Sequence, residues 1–385
     1  MPPTAAGPGM RVLYDHQVFW LQQYGGISRY YVELMSQLQC RERIDPALAL
    51  WYSENRHLLS STLVRDGLAP SKPPIYELVK KVQTSTKRDL IGFFDFRASK
   101  RALKKGDFDL FHPTYYYPYF LNYLKGKPFV LTVYDMTHEV MPELFAPNNP
   151  TMGNKKMLAE RAEKVIAISH STKNDLVRIC GIDPSKVSVV HLASPLDGLT
   201  VKGERPSGLP DQYVLFIGNR GGYKNFTFLV EAMVGLLKVD QTMHIVCGGG
   251  APFSEDERTM FREKGIEDRV IQFPVDDSTL VALYRGARAF VYPSLYEGFG
   301  LPILEAFGCG CPVIASNRSS FPEIAGDAGL YFDPSDMASL ENTIYKVITD
   351  ECTRARMIER GYARAKNFSW ERMTEETIAV YRTIA

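Results

Sequence analysis

Ser294-Leu-Tyr-Glu-Gly-Phe-Gly-Leu-Pro-Ile-Leu-Glu-Ala-Phe-Gly-Cys-Gly-Cys-Pro-Val313 decides the reading of this chain. Before it, Ala289-Phe-Val-Tyr-Pro293 is a short apolar run closed by proline, the pattern of a core strand giving way to a loop. Gly298 and Gly300 allow a tight turn and a close approach to a ligand, and Pro302 suits the first position of the helix that follows. A helix entered through flexible backbone presents free N–H groups and the positive end of its dipole, so the stretch predicts an anion site. Glu297 in the loop and Glu305 on the first helical turn flank that site. Each alone fits a solvated acid or one that complements the dipole. Together, beside an anion pocket, they call for hydroxyl donors, and a nucleotide sugar carries both a diphosphate and polyol groups.

Working outward, Tyr213-Val-Leu-Phe-Ile217 reads as a strand, Gly218-Asn-Arg-Gly-Gly-Tyr-Lys-Asn225 as a glycine loop and 226–237 as a helix. Arg220 and Lys224 in that loop can stabilise the negative charge that grows on a departing diphosphate. Met243–Gly250, Val270–Phe273 and Ala289–Tyr292 supply further strands, and 276–285 supplies a helix.

The first half opens on the same plan. Met10–Tyr14 is a strand, and a loop runs through Gly25 and Gly26. A helix follows with Ser28 as a plausible N-cap. Ala47–Tyr52 reads as a second strand and Asp109–His112 as a later one. The tract Pro113-Thr-Tyr-Tyr-Tyr-Pro-Tyr-Phe120 follows, and its aromatic faces, with His112, Tyr115 and Tyr116 foremost, suit an acceptor sugar. Phe129–Tyr134 is a strand with Asp135 and His138 at its C-terminal end, where open parallel sheets bind ligands and where a His–carboxylate pair can move a proton. Lys164–Ser169 and Val187–His191 complete the set. The Gly- and Pro-rich Lys202–Asp211 reads as an interdomain linker.

Composition narrows the class. The chain has 385 residues, 45% hydrophobic and 23% charged, enough for two domains with a core each. No apolar run approaches the ~20 residues of a spanning helix, and the first ten residues lack the features of a secretory signal. Six scattered cysteines without a C-x-x-C pair suit reduced thiols in a cytoplasmic protein and argue against a cysteine metal site. A net charge of +1 argues against nucleic acid as a partner. The charge is uneven: between Lys72 and Lys105 ten Lys or Arg face three acids, with Phe93, Phe94 and Phe96 among them. Such a segment suits either peripheral contact with an anionic membrane or a solvated helix whose phenylalanines face the core. Asp107-Phe-Asp109 matches a metal-binding string but precedes its strand, so it is read as a turn and no metal cofactor is expected.

Glu297-Gly-Phe-Gly-Leu-Pro-Ile-Leu-Glu305 resembles the E-x7-E signature of the retaining glycosyltransferases of family 4. The segments Gly308–Ser316 and Pro322–Pro334 also resemble that family's closing motifs. The resemblance implies an α/β fold of two Rossmann-like domains facing each other across a cleft (GT-B). The expected domains are an acceptor-side domain over 1–205, a nucleotide-sugar domain over 206–369, and a last helix over 370–385 crossing back to the first.

The resemblance also implies donor contacts from Gly25, Gly26, Gly218, Arg220, Lys224, Val275, Glu297, Gly298, Phe299, Gly300, Leu301 and Glu305. Glu305 would take ribose hydroxyls and Glu297 the donor sugar's, with Asp135 and His138 facing the reaction centre. Many relatives carry His-Asp where this chain has Tyr134-Asp135, which leaves the role of His138 open. Tyr24-Gly-Gly-Ile-Ser-Arg-Tyr30 and Tyr134-Asp-Met-Thr-His138 resemble bacterial surface-polysaccharide transferases. The expected activity is therefore hexosyl transfer from a nucleotide sugar to a glycan or lipid-linked acceptor, with GDP-mannose favoured over UDP-glucose. The rivals are a GT-B sugar phosphorylase, a sugar-nucleotide epimerase and a non-catalytic nucleotide-sugar-binding subunit.

Overall fold

The computed structural model describes residues 9–41, 43–70, 84–194, 196 and 202–384. It separates into two compact units, one of Met1–Ile168, Thr172–Leu192 and Trp370–Ala385, the other of Ser169–Ser171 and Ala193–Ser369. Each is built on parallel strands, whose near-continuous apolar runs reflect burial on both faces.

In the first unit the strands are β1 (Met10–Tyr14), β2 (Ile44–Leu48), β3 (Leu110–His112), β4 (Val130–Val133), β5 (Lys164–Ala167) and β6 (Val187–Val189). They lie in two three-stranded groups, β2-β1-β3 and β4-β5-β6, linked by a parallel bridge between Phe111 and Phe129. The expected second strand, Ala47–Tyr52, is corrected to Ile44–Leu48. Pro46 falls inside it, which an edge strand tolerates because the missing N–H faces away from its neighbour. Ser28 is not the N-cap either. The helix Gly26–Gln39 starts earlier, Gly25 caps it, and Ser28 Oγ bonds back to the Gly25 carbonyl at 2.9 Å.

The second unit holds β7 (Gln212–Ile217), β8 (Met243–Gly248), β9 (Val270–Phe273), β10 (Ala289–Tyr292), β11 (Val313–Ser316) and β12 (Leu330–Phe332) in the order β12-β11-β10-β7-β8-β9. The chain starts mid-sheet at β7, builds outward to β9, then returns to lay β10 against the free edge of β7. Loops leaving β7 and β10 therefore diverge to opposite faces, and the crevice between them is where ligands bind in such sheets. The same reversal occurs between β1 and β3 in the first unit.

The helix Trp370–Arg382 packs on the helix Gly26–Gln39 in the first unit. Buried Tyr381 fixes it, its hydroxyl 2.8 Å from Tyr14 Oη and 2.6 Å from His112 Nδ1. His112 is fully buried, with Nε2 2.8 Å from Thr132 Oγ1, and burial pushes its pKa down to about 3. Both ring nitrogens are spent on the core, which corrects the expectation that His112 contacts an acceptor.

Candidate functional site

The loop after β7 begins at Gly218, whose φ of 113° only glycine adopts without strain. It continues through a 3-10 turn over Gly222–Lys224. The loop after β10 ends at Gly300, which caps the helix Leu301–Gly308 at φ 104°. A Cβ there would lie 3.2–3.3 Å from Ile303 and Phe321. Pro302 sits second in the helix, not first, and Glu305 falls in its second turn, too far along to complement the dipole. Glu305 is instead 9% exposed and accepts the Tyr284 hydroxyl at 3.0 Å.

Across the crevice, Lys224 Nζ donates to Glu297 Oε1 at 2.6 Å, with the side chains 17% and 14% exposed. Seventy-three residues separate them in sequence, and the pairing of β7 with β10 brings them together. The Glu297 carbonyl is held by Ser320 Oγ at 3.0 Å, which also lies 2.7 Å from the carbonyl of Phe299. Under the pair lies the Tyr292 ring, 5.6 Å from the Lys224 ammonium. Burial, and then the Glu297 carboxylate, push the Tyr292 phenol well above its usual range, so it stays a neutral donor.

Arg220, four residues before Lys224, points toward the β8 side. Its Nε donates to Glu257 Oε1 at 2.7 Å and its Nη2 to the Ala251 carbonyl at 2.5 Å, while the guanidinium covers the Phe253 ring at 4.6 Å. Nη1 is buried and has no partner among the described residues. Gly250, at φ 74°, lets the guanidinium approach: a Cβ there would lie 3.0 Å from Nη1. Arg220, Gly221, Gly222 and Glu257 line a cavity of about 510 Å³. Val275 packs beside Gly248 and Gly249 at the end of β8, within van der Waals reach of a Cβ at either. The loop thus aims one cation to each side of β7.

Glu257 was not anticipated, although Ser254-x-x-Glu257 is a legible capping-box pattern. Its carboxylate accepts the Ser254 N–H at 2.7 Å and anchors Arg220 as well. Glu257→Ala is expected to weaken anion binding at this loop on the order of tenfold, because an unanchored guanidinium must be ordered again at each binding event. Ser254→Ala removes the other half of the cap without touching Arg220. Calorimetric titration with pyrophosphate should leave that variant near wild type, and an equal loss in both would make Glu257 merely a helix cap.

In the first unit, Asp135 follows β4 and its Oδ1 accepts the Thr137 N–H at 2.9 Å. His138 stacks on Phe145 with ring centroids 3.9 Å apart. Burial and the nearby Lys155 charge lower its pKa, so the ring is neutral at pH 7. Its Nδ1 is buried and has no partner among the described residues. Lys155, 1% exposed, bonds Glu139 at 2.8 Å and the Asp135 carbonyl at 2.8 Å. No sequence motif marks that lysine, whose place is set by the helix Thr151–Arg161. Gly25 and Gly26 open the helix Gly26–Gln39 in this unit.

Tyr116 is buried and its hydroxyl accepts the Tyr134 N–H at 3.0 Å, while Tyr115 is half-buried beside it. Asp107 and Asp109 clasp Arg11 through its side chain at 2.8 Å and its N–H at 2.7 Å. The described part of the basic segment is a helix, Thr84–Lys105; its residues 72–83 lie outside the described residues. Phe94 packs against Trp51 and Phe96 against Tyr119, so two of its three phenylalanines face inward. Phe93 alone of the three is exposed.

Residues 24–193 match the model of Glycosyltransferase Family 4, and residues 202–364 that of Glycosyl transferases group 1. The O-antigen chain mannosyltransferase B of Escherichia coli is 33% identical over 71% of this chain and 73% of that protein. A D-inositol 3-phosphate glycosyltransferase of Salinispora tropica is 29% identical over 81% of this chain and 75% of its own. Among solved structures, Anabaena HepE with UDP and glucose superposes at a TM-score of 0.70. It is 18% identical, with 97% of this chain and 99% of that one covered. Sucrose-phosphate synthase of Thermosynechococcus elongatus superposes at 0.69 with 20% identity, covering 97% and 98%.

Proposed function

This chain belongs to the family 4 glycosyltransferases and has their GT-B fold of two Rossmann-like domains, and we propose that it is a retaining mannosyltransferase of polysaccharide biosynthesis. The donor is GDP-mannose and the acceptor a hydroxyl of a glycan or lipid-linked glycan. The observation that carries the donor side is the Lys224–Glu297 contact at the β7/β10 crevice. It sets a cation beside a carboxylate at the sheet edge where a diphosphate joined to a sugar would lie. Mannose is favoured over glucose by the O-antigen mannosyltransferase relative.

In this reading the helix N-terminus at Gly300, Lys224 and Arg220 take the diphosphate. Glu297 takes the sugar hydroxyls and Glu305 those of the ribose. Gly218, Val275, Gly298, Phe299 and Leu301 shape the backbone and apolar walls around them. Asp135 and His138 face the acceptor hydroxyl. The bond from the sugar's anomeric carbon to the β-phosphate oxygen breaks, and the departing diphosphate keeps the electron pair. The acceptor oxygen bonds the same face of that carbon and passes its proton to the leaving phosphate. Cationic side chains and amides do the electrostatic work that a divalent ion does elsewhere.

The test is an assay of GDP release with and without acceptor, with and without EDTA, followed by NMR of the product. Acceptor-dependent release that EDTA leaves unchanged, with an α-mannoside formed from the α-linked donor, is the expected outcome. A requirement for inorganic phosphate would indicate a phosphorylase, and sugar inversion without acceptor an epimerase. Loss of activity in EDTA with recovery in manganese would contradict the metal-free reading.

A further inference from the structure

We propose that the crevice between β1 and β3 of the first domain seats a single isoprenyl or alkyl chain whose phosphate head is met by Arg88 and Arg97. The inference rests on the acceptor reading above and narrows it to a lipid phosphate.

The chain reversal between β1 and β3 places a ligand crevice at this point of the sheet. A cavity of about 460 Å³ occupies it, walled by the short helix Gln17–Leu21 after β1 (Trp20, Leu21), the loop after β3 (Tyr115 to Tyr117) and the helix Thr84–Lys105 (Phe93, Phe96). That volume lies in the ~300–1,000 Å³ range of small-molecule pockets and suits one chain rather than a bilayer. Gly92 makes room for it: a Cβ there would lie 2.5 Å from Trp20 Nε1, so only glycine lets the indole lie flat against the helix. Of the lining residues, Trp20, Leu21, Phe93 and Tyr117 are 36%, 39%, 54% and 59% exposed. An exposed apolar cluster of this kind marks a binding surface.

On the His16–Trp20 wall of the lining the polar groups are largely engaged already, so that side offers a bare sugar little. Gln17 Nε2 donates to Asp15 at 2.8 Å and its Oε1 accepts the Tyr117 N–H at 2.8 Å. His16 Nδ1 lies 2.7 Å from Ser99 Oγ, and Trp20 Nε1 donates to the Arg88 carbonyl at 3.2 Å. Charge settles the polarity of the occupant. The Arg88 guanidinium stands 5.0 Å from the Trp20 ring and that of Arg97 5.5 Å from the Phe93 ring. Both are exposed and each lies against the ring of a lining residue, with one acid, Asp89, in the lining. The helix's other acid, Asp95, is buried and accepts the N–H groups of Trp51 and Tyr52, each at 3.0 Å. An apolar hollow with a cationic rim complements an amphiphile with an anionic head.

Farnesyl diphosphate titrated into the full chain by calorimetry tests this, with excess inorganic pyrophosphate present to fill any diphosphate site elsewhere. Saturable one-to-one binding is expected, weakened on the order of tenfold or more by Phe93→Ser. Arg97→Gln should weaken it too and flatten its salt dependence. Both side chains are at the surface, so the variants should keep the wild-type unfolding midpoint. Absence of saturable binding overturns the proposal, as does binding that neither substitution alters. Binding only to anionic vesicles, untouched by Phe93→Ser, overturns it in favour of a membrane-lying face. Stabilisation by a nucleotide sugar, measured on the same preparation, shows separately whether the donor reading stands.

Discussion

Lys224→Ala lowers turnover on the order of a hundredfold or more while the protein stays folded. The expectation follows from the ammonium's position 2.6 Å from Glu297 and from the proposal that this crevice holds the departing diphosphate. A fixed donor aimed at developing charge contributes more to the transition state than to the ground state. The loss should therefore fall chiefly on kcat. Lys224→Arg should recover little, since a planar fork does not reproduce a point charge seated over Tyr292 and Tyr223. Unchanged GDP release in the alanine variant would remove Lys224 from the chemistry.

Glu297→Ala is expected to be as severe, for two coupled reasons. It removes the proposed acceptor for the donor's sugar hydroxyls, and it leaves Lys224 a largely buried cation without its partner. Glu297→Gln keeps the shape and one acceptor oxygen, so it should retain more activity than the alanine variant and unfold close to wild type. Because the two side chains touch, their effects should not add: the double variant should be little worse than either single one. Additive losses in kcat/KM would show that the residues act at separate places.

The strands were legible because parallel strands buried on both faces read as short apolar runs. Ala289–Tyr292 matches the expected run residue for residue. β2 was displaced in the reading because Pro46 broke its pattern and the apolar residues after it looked more strand-like. Lys224 and Glu297 could each be named from their glycine loops, yet nothing local says that they touch. Their contact comes from β10 returning to the edge of β7, a matter of topology. Arg220 and Lys224 can both be named from one loop, yet nothing local says that Glu257 anchors Arg220 on the β8 side. His112 misled because a histidine at a strand's end looks the same whether it faces a ligand or a core tyrosine, and Tyr381 lies 269 residues away. Lys155 escaped because a lone lysine in a polar helix is ordinarily at the surface.

The most direct test of the whole account is thermal unfolding of wild type and of Lys224→Ala/Glu297→Ala across a panel of nucleotide sugars. At a hundred times its dissociation constant, the cognate donor should stabilise the wild type by about 2.7 kcal/mol. The double variant, at the same donor concentration, should gain almost nothing. Equal stabilisation of both proteins, or none of the wild type by any nucleotide sugar, would contradict the claim that this pair grips an activated sugar.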